Sequence, residues 1–180
     1  MRYGPPGAGK LTVARALAAR YGLRLLDNHL SVDPALRLFD FGTPRFAELV
    51  EQLRVTLLRS AARAGLDVVS TLVYARGIDD AHLDTLVAAS RDEGADVTLV
   101  QLAPSTAALE LRVRDASRAG TNKIVDPGQL GRLLAEFDLR TPARADDLLI
   151  DNTVLSADAV AALVADRIGL VPGGRRAHRA

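Results

Sequence analysis

Hydrophobic positions along the chain form short continuous runs separated by stretches of helical spacing. Continuous apolar runs, typical of strands buried on both faces, occupy 66–74 and 97–102, and shorter ones occupy 1–3, 23–26 and 147–151. Between them apolar residues recur every three or four positions, which predicts helices over 10–21, 44–64, 78–90, 105–117, 127–137 and 156–168. A further short helix is predicted to open at Asp33-Pro34. The alternation predicts an α/β fold with a parallel sheet and helices on both faces.

The same pattern predicts a single domain over 1–170. The 180 residues suffice for one full core, and no repeat, low-complexity stretch or linker divides them. The periodicity breaks at the polar stretch from Arg118 to Lys123, where we predict a mobile lid over about 117–126. Residues 171–180 form a basic tail that is expected to fray.

A glycine-rich segment, GPPGAGK, stands between the first strand and the first helix. Its GxxxxGK spacing is expected by chance only about 0.01 times in a chain of this composition. Glycine lets the backbone curl so that its N–H groups point at phosphate oxygens, and the following helix adds its positive N-terminal end. Lys10 supplies a mobile charge for the outer phosphates. We therefore predict a nucleotide site made by Gly4, Pro5, Pro6, Gly7, Ala8, Gly9, Lys10, Leu11 and Thr12.

Composition and charge narrow the classes of function. The net charge of +1 gives no overall field that favours nucleic acid or an anionic membrane, and no apolar run has the length of a membrane span. The absence of cysteine excludes a disulfide framework and a thiolate nucleophile. Since no secretory signal precedes the loop, we expect a cytoplasmic protein. Monomer and homodimer both remain open.

Polar residues follow the predicted strands, and in an open parallel sheet ligands collect outside the carboxyl ends of the strands. Asp27 follows the second strand and is our candidate for orienting an acceptor hydroxyl and accepting its proton late in phosphoryl transfer. The alternative is a turn aspartate that bonds its own backbone. Further candidates are Asn152 on the nucleotide side and, around the acceptor, Asn28, His29, Arg45 and Arg76. Structural or surface roles remain open for these side chains.

Cations cluster before and within the predicted lid. A lid that brings cations onto the transferred phosphoryl group is worth ~10³ to 10⁵ in rate, by analogy with arginine fingers. We predict that Arg118 and Lys123 have this catalytic role and that Arg114 contacts the nucleotide. Mg²⁺ is expected to bind through water near Asp27 and Thr12.

The segment Gly4-Pro5-Pro6-Gly7-Ala8-Gly9-Lys10-Leu11-Thr12 resembles the phosphate loop of adenylate kinase and its relatives among the small P-loop kinases, including shikimate kinase, gluconate kinase and chloramphenicol phosphotransferase. Bacterial proteins labelled shikimate-kinase-like or AAA-family ATPases are similar too. The resemblance implies a five-stranded parallel sheet of order 2-3-1-4-5, ATP with Mg²⁺, lid closure and an acceptor pocket opposite the nucleotide. Beyond the loop it is an analogy of topology.

Three features depart from that family. Leu11 stands where many such loops place a Ser or Thr on Mg²⁺, so direct ligation of the metal by the protein is in doubt. The glycine triplet that shikimate kinase has after its third strand is replaced by Val73-Tyr74-Ala75-Arg76-Gly77. Paired arginines that would clamp a nucleoside monophosphate are not recognisable.

These observations predict an ATP-dependent phosphotransferase that moves the γ-phosphoryl group to a hydroxyl of a small molecule. A nucleoside or nucleotide kinase is the nearest alternative. An ATP-binding switch or ATPase without a small acceptor is the alternative from another class.

Overall fold

Strands and helices alternate along the chain, as the sequence predicts. The computed structural model describes residues 1–116 and 123–172. Within them the elements are β1 (Arg2–Tyr3), α1 (Lys10–Tyr21), β2 (Arg24–Leu26), α2 (His29–Leu36), α3 (Pro44–Arg63), β3 (Val68–Ser70), α4 (Asp80–Arg91), β4 (Val100–Leu102), α5 (Thr106–Val113), α6 (Pro127–Glu136), β5 (Leu148–Ile150) and α7 (Ala157–Ile168). All strand pairs are parallel, so the predicted α/β class is confirmed. No helix in the described part of the chain is both long and apolar enough to cross a membrane.

The expected continuous five-stranded sheet is not formed. The strands make a three-stranded sheet of order β1-β4-β5 and a separate pair, β2-β3. One parallel bridge between Arg2 and Thr71 and one hydrogen bond, from Leu72 N to Arg2 O (3.0 Å), connect the two. The two sheets stay separate because β1 is only two residues long. Both of its residues pair with β4, but only Arg2 forms a bridge towards β3.

The long apolar runs also form shorter strands than predicted. The stretch 66–74 contributes only Val68–Ser70, and 97–102 only Val100–Leu102. β3 pairs with β2 along its three residues, and past the bridge at Thr71 the chain leaves the sheet, so that Val73 is 39% exposed. Strand length is thus limited by the neighbouring strand rather than by the apolar run itself.

Helix boundaries follow local capping, which keeps most of them where the sequence places them. The side chains of Thr43, Ser105 and Ser156 each accept a hydrogen bond from the backbone N–H three residues on. Gly22 and Gly169 end α1 and α7 in the left-handed conformation.

The helix predicted to open at Asp33-Pro34 is an exception. α2 begins at His29 and contains Pro34 in its interior. The Asp27 carboxylate accepts a hydrogen bond from His29 N (2.8 Å), and the helix starts five residues earlier than the proline suggests.

Two apolar layers cover the strands. On one side α1 and α7 pack over Val69, Val100 and Leu102. On the other, α4 covers a cluster around Tyr3 and Tyr74, whose rings meet edge to face at 5.2 Å. The carboxyl ends of the strands, where the polar residues gather, remain outside both layers.

Candidate active site

The phosphate loop lies between β1 and α1, as predicted. Gly4 and Gly7 have φ of 143° and 84°, a region that other residues rarely adopt. A Cβ on Gly4 would lie 2.5 Å from the carbonyl oxygen of Leu102, and one on Gly7 would lie 3.1 Å from Val113 Cγ1. The loop is therefore pressed against the end of β4 and against α5, and its curvature depends on both glycines.

The N-terminal end of α1 faces the loop without a side-chain cap. The helix begins at Lys10, and its N-cap, Gly9, offers no side chain to the first N–H groups. Those groups and the helix dipole suit an anion. Leu11 is half-buried and Thr12 exposed within this first turn. The glycine cradle and the uncapped helix end together fit a triphosphate.

Lys10 folds back over the loop. Its ammonium donates to the carbonyl oxygens of Gly4 (2.7 Å) and Pro5 (2.9 Å). The ammonium therefore lies against the glycine-rich loop itself.

Asn152, which follows β5, contacts the loop directly. It is 3% exposed, and its amide Nδ2 donates to Ala8 O at 2.8 Å. Arg112 of α5 donates in turn to the carbonyl oxygens of Asn152 (2.7 Å) and Thr153 (3.1 Å). Hydrogen bonds thus connect α5, which precedes the predicted lid, to the turn after β5, and that turn to the phosphate loop.

Asp27 lies in the turn between β2 and α2. Its Oδ1 accepts from His29 N, so the aspartate does bond its own turn, and its Oδ2 bonds to no residue in the described ranges. The side chain also lines a small cavity of about 20 Å³ at the ends of β2 and β3, together with Leu26, Leu30, Ser31, Arg54, Leu57, Leu58, Ser70 and Thr71. Asp27 can therefore bond its own turn and line the cavity at the same time.

Sequence analysis did not identify Arg54, which is the most connected side chain around this cavity. It donates through Nε to Ser31 Oγ (3.0 Å), through Nη2 to Asn28 Oδ1, and through Nη1 to His82 Nε2 (2.8 Å). Burial lowers the pKa of Arg54 to about 10, and the charges of Asp79 and Glu51 oppose that shift.

A signal for Arg54 was present in the helical pattern. Phe46, Val50 and Leu58 of α3 are buried at intervals of four, and Arg54 occupies the missing position of that stripe. A charged residue in a buried stripe needs partners, which α2 and α4 supply here.

Three predicted acceptor residues do not meet at the cavity. His29 Nδ1 pairs with Asp33 Oδ1 (3.0 Å) on its own helix. Arg76 donates to Pro142 O at 2.6 Å. Arg45 is exposed beside an open cleft of about 630 Å³ between α2 and α3, formed by Leu36–Asp40 and Thr43–Arg45. Asn28, in contrast, bonds both Arg54 and Thr71 (3.1 Å) next to Asp27.

The predicted lid residues are only partly described. Arg114 is exposed at the end of α5, and Lys123 is half-buried ahead of α6. Arg118 lies in 117–122, outside the described residues, as do residues 173–180 of the predicted tail. Within the described ranges, no group of three or more His, Asp or Glu side chains is placed to bind a metal ion.

Comparison with solved structures defines the fold class. A sugar kinase from Janibacter sp. HTCC2649 matches with a TM-score of 0.67 at 16% identity, over 95% of this chain and 94% of that one. The tunicamycin resistance protein of Deinococcus radiodurans matches with a TM-score of 0.67 at 21% identity, over 97% and 98%. Shikimate kinase from Acinetobacter baumannii, in complex with shikimate, matches with a TM-score of 0.57 at 19% identity, over 93% and 90%.

The chain therefore has the fold of the small P-loop kinases, as its phosphate loop indicates. At these identities the similarity concerns the fold. No family model and no curated protein sequence matches the chain significantly.

Proposed function

We propose that the protein is an ATP-dependent phosphotransferase that moves the γ-phosphoryl group to a hydroxyl of a small molecule. The observation that supports this most directly is the position of Asp27. Its Oδ2 bonds to no residue in the described ranges, and the carboxylate lies at the ends of β2 and β3, the same edge at which the phosphate loop follows β1. The cavity that it lines, about 20 Å³, admits about one water, so the acceptor is proposed to bind outside that cavity, between Asp27 and the loop.

The spacing of the strands supports the same conclusion. β2 pairs with β3, and Thr71 after β3 bridges to Arg2 of β1. We infer that the two sheets act as one layer of order 2-3-1-4-5. Two strand spacings, roughly 10 Å, then separate the turn of Asp27 from the phosphate loop. That interval accommodates a γ-phosphoryl group and an acceptor hydroxyl in line.

On the nucleotide side, the glycine loop and the end of α1 bind the phosphates. Lys10 exchanges its two carbonyl partners for phosphate oxygens, and Asn152 keeps Ala8 in place behind the loop. Thr12 and Asp27 are the residues that would hold Mg²⁺ through water, and the metal would supply charge neutralisation on the triphosphate.

On the acceptor side, Asp27 accepts a hydrogen bond from the acceptor hydroxyl. As the hydroxyl oxygen bonds to the γ-phosphorus and the bond to the β-phosphate oxygen breaks, the proton passes to Asp27 Oδ2 and ADP leaves. Lys123, with Arg118, is proposed to approach the transferred group from the lid.

The alternative functions gain no observation of their own. A nucleotide kinase needs two cations matched to a second phosphate, yet Arg45 and Arg76 do not come together at the cavity. A switch without an acceptor does not require a carboxylate with an unbonded oxygen at this edge of the sheet.

The test is a screen of hydroxyl-bearing metabolites, antibiotics and nucleosides for acceptor-dependent ATP consumption. Asp27→Asn is expected to lower kcat by about 10² or more and to leave ATP affinity within about twofold, because the amide cannot accept the proton. Asp67→Asn is the matched control, since Asp67 is exposed at the opposite end of β3.

Full turnover by Asp27→Asn would contradict the role of this carboxylate. Absence of ATP binding to the wild-type chain, measured by calorimetry with Mg²⁺ present, would contradict the function as a whole.

A further inference from the structure

A chain of hydrogen bonds extends from the surface of α3 to the turn of Asp27. Glu51 Oε2 lies 2.6 Å from His82 Nδ1, and His82 Nε2 lies 2.8 Å from Arg54 Nη1. Arg54 then reaches Ser31 and Asn28, and the Ser31 hydroxyl donates to Asn28 O at 3.1 Å. The hydrogen bonds of His82 join α4 to α3, and those of Ser31 and Asn28 join α2 to α3. Both of these helix pairs also pack against each other.

The chemistry of arginine fixes every donor and acceptor in this chain. A guanidinium has only N–H groups to offer, so His82 Nε2 must accept from Arg54. The ring is then neutral, its proton is on Nδ1, and it donates that proton to Glu51. A doubly protonated ring would place its Nε2–H against an Arg54 N–H, with two positive charges at 2.8 Å between nitrogens.

We propose that Glu51 and neutral His82 are positioning residues that hold Arg54, and through Arg54 the Asn28–Ser31 segment beside Asp27, in the geometry used for phosphoryl transfer. The inference rests on the proposed function but adds residues that the phosphate loop and strand ends do not include. Asp27 touches neither Glu51 nor His82, so their effect on the acceptor passes through Arg54.

Charged groups surround the ring and its arginine partner. Glu51 and Arg54 face His82 from α3, and Asp79 at the start of α4 acts on Arg54. The neutral ring with its proton on Nδ1 serves Glu51 and Arg54 at once, because it donates to the carboxylate and accepts from the guanidinium.

A spectroscopic measurement tests the arrangement without any acceptor. The chain has three histidines, so long-range ¹H–¹⁵N spectra of the rings can be assigned with single His→Gln variants. We expect His82 to be in the Nδ1–H form at pH 8. An Nε2–H ring, the form that free histidine favours, would overturn the inference even if the protein is a kinase. The tautomer of His82 can be measured even if the protein has no kinase activity. Failure of this inference can therefore be distinguished from failure of the proposed function.

Once an acceptor has been identified, steady-state kinetics test the positioning role of His82. His82→Phe is expected to raise the acceptor KM about tenfold with little change in ATP KM, because Arg54 loses its support. His82→Gln is expected to recover most of that loss, since a carboxamide can donate to Glu51 and accept from Arg54.

Glu51→Ala provides the second arm, with Glu48→Ala as its matched control. Glu48 lies one turn earlier on α3, exposed, and pairs with Gln52 (3.2 Å). Glu51→Ala should raise the acceptor KM about fivefold, and Glu48→Ala should leave it within about twofold. Equal effects of the two variants, an unchanged KM in His82→Phe, or a KM in His82→Gln as high as that of His82→Phe would each overturn the proposal.

Discussion

At the scale of single residues, Asn152 shows how a buried amide shapes the phosphate loop. Its Nδ2 binds Ala8 O, while its Oδ1 is buried without a hydrogen-bond partner among the described residues. The side chain is thus committed to the loop as a donor. Under the proposed function, it would act on phosphate binding indirectly, by fixing the loop backbone that offers its N–H groups.

Replacing Asn152 by Ala should weaken ATP binding about tenfold, because Ala8 O loses its donor and the loop loses its support. Calorimetric titration with ATP and Mg²⁺ measures the change. Gln52→Ala, which removes an exposed amide from α3, should leave the affinity unaltered. Equal affinities in wild type and Asn152→Ala would show that the loop keeps its shape unaided.

Which residues could be predicted from the sequence depends on the range of the interactions involved. The phosphate loop and the polar turns after the strands follow from local spacing and the topology of parallel sheets. Arg54 and His82 could not be identified in that way, because their roles arise where α2, α3 and α4 meet. Arg76 was expected at the acceptor, yet Asp138 and Pro142, which are far along the chain, bind it elsewhere.

At the scale of elements, helices were easier to predict than strands. A helix end depends on residues within three or four positions, such as Thr43 or Ser156, so the sequence contains most of the information. A strand end depends on whether a neighbour is present. The length of β3 matches that of β2, the strand with which it pairs, which lies more than forty residues earlier.

α2 is the helix in which local signals conflict. Pro34 sits at its sixth residue, where the missing N–H deprives Leu30 O of its helical partner. Pro34→Ala should therefore stabilise the protein, by about 1–2 kcal/mol, provided that the backbone keeps its helical conformation. Thermal unfolding with matched far-UV circular dichroism measures this. A lower Tm would indicate that the proline instead limits the freedom of the unfolded turn.

At the scale of the whole molecule, the junction between the two sheets contains an unusual residue. Arg2 is 3% exposed, and its Nε and Nη1 have no hydrogen-bond partner in the described ranges. Burial lowers the pKa of Arg2 to about 9. A buried guanidinium without a counter-charge destabilises the folded state at neutral pH.

Arg2→Met should raise the free energy of unfolding by about 2 kcal/mol at pH 7, since methionine fills a similar volume without a charge. The folded state binds fewer protons than the unfolded state above about pH 9. Wild-type stability should therefore improve relative to the variant as pH rises through 9. Denaturant titrations at pH 7 and pH 10 test both statements, and a constant difference would contradict the second.

The position of Lys10 makes the loop open to chemical labelling. The chain has only two lysines, Lys10 and Lys123, against 21 arginines. An amine-directed reagent therefore meets one side chain at the phosphate loop and one at the edge of the predicted lid. Peptide mapping of the adducts, with and without nucleotide, would show whether nucleotide protects Lys10 at the phosphate loop. The same digest would show whether nucleotide also protects Lys123 at the edge of the predicted lid.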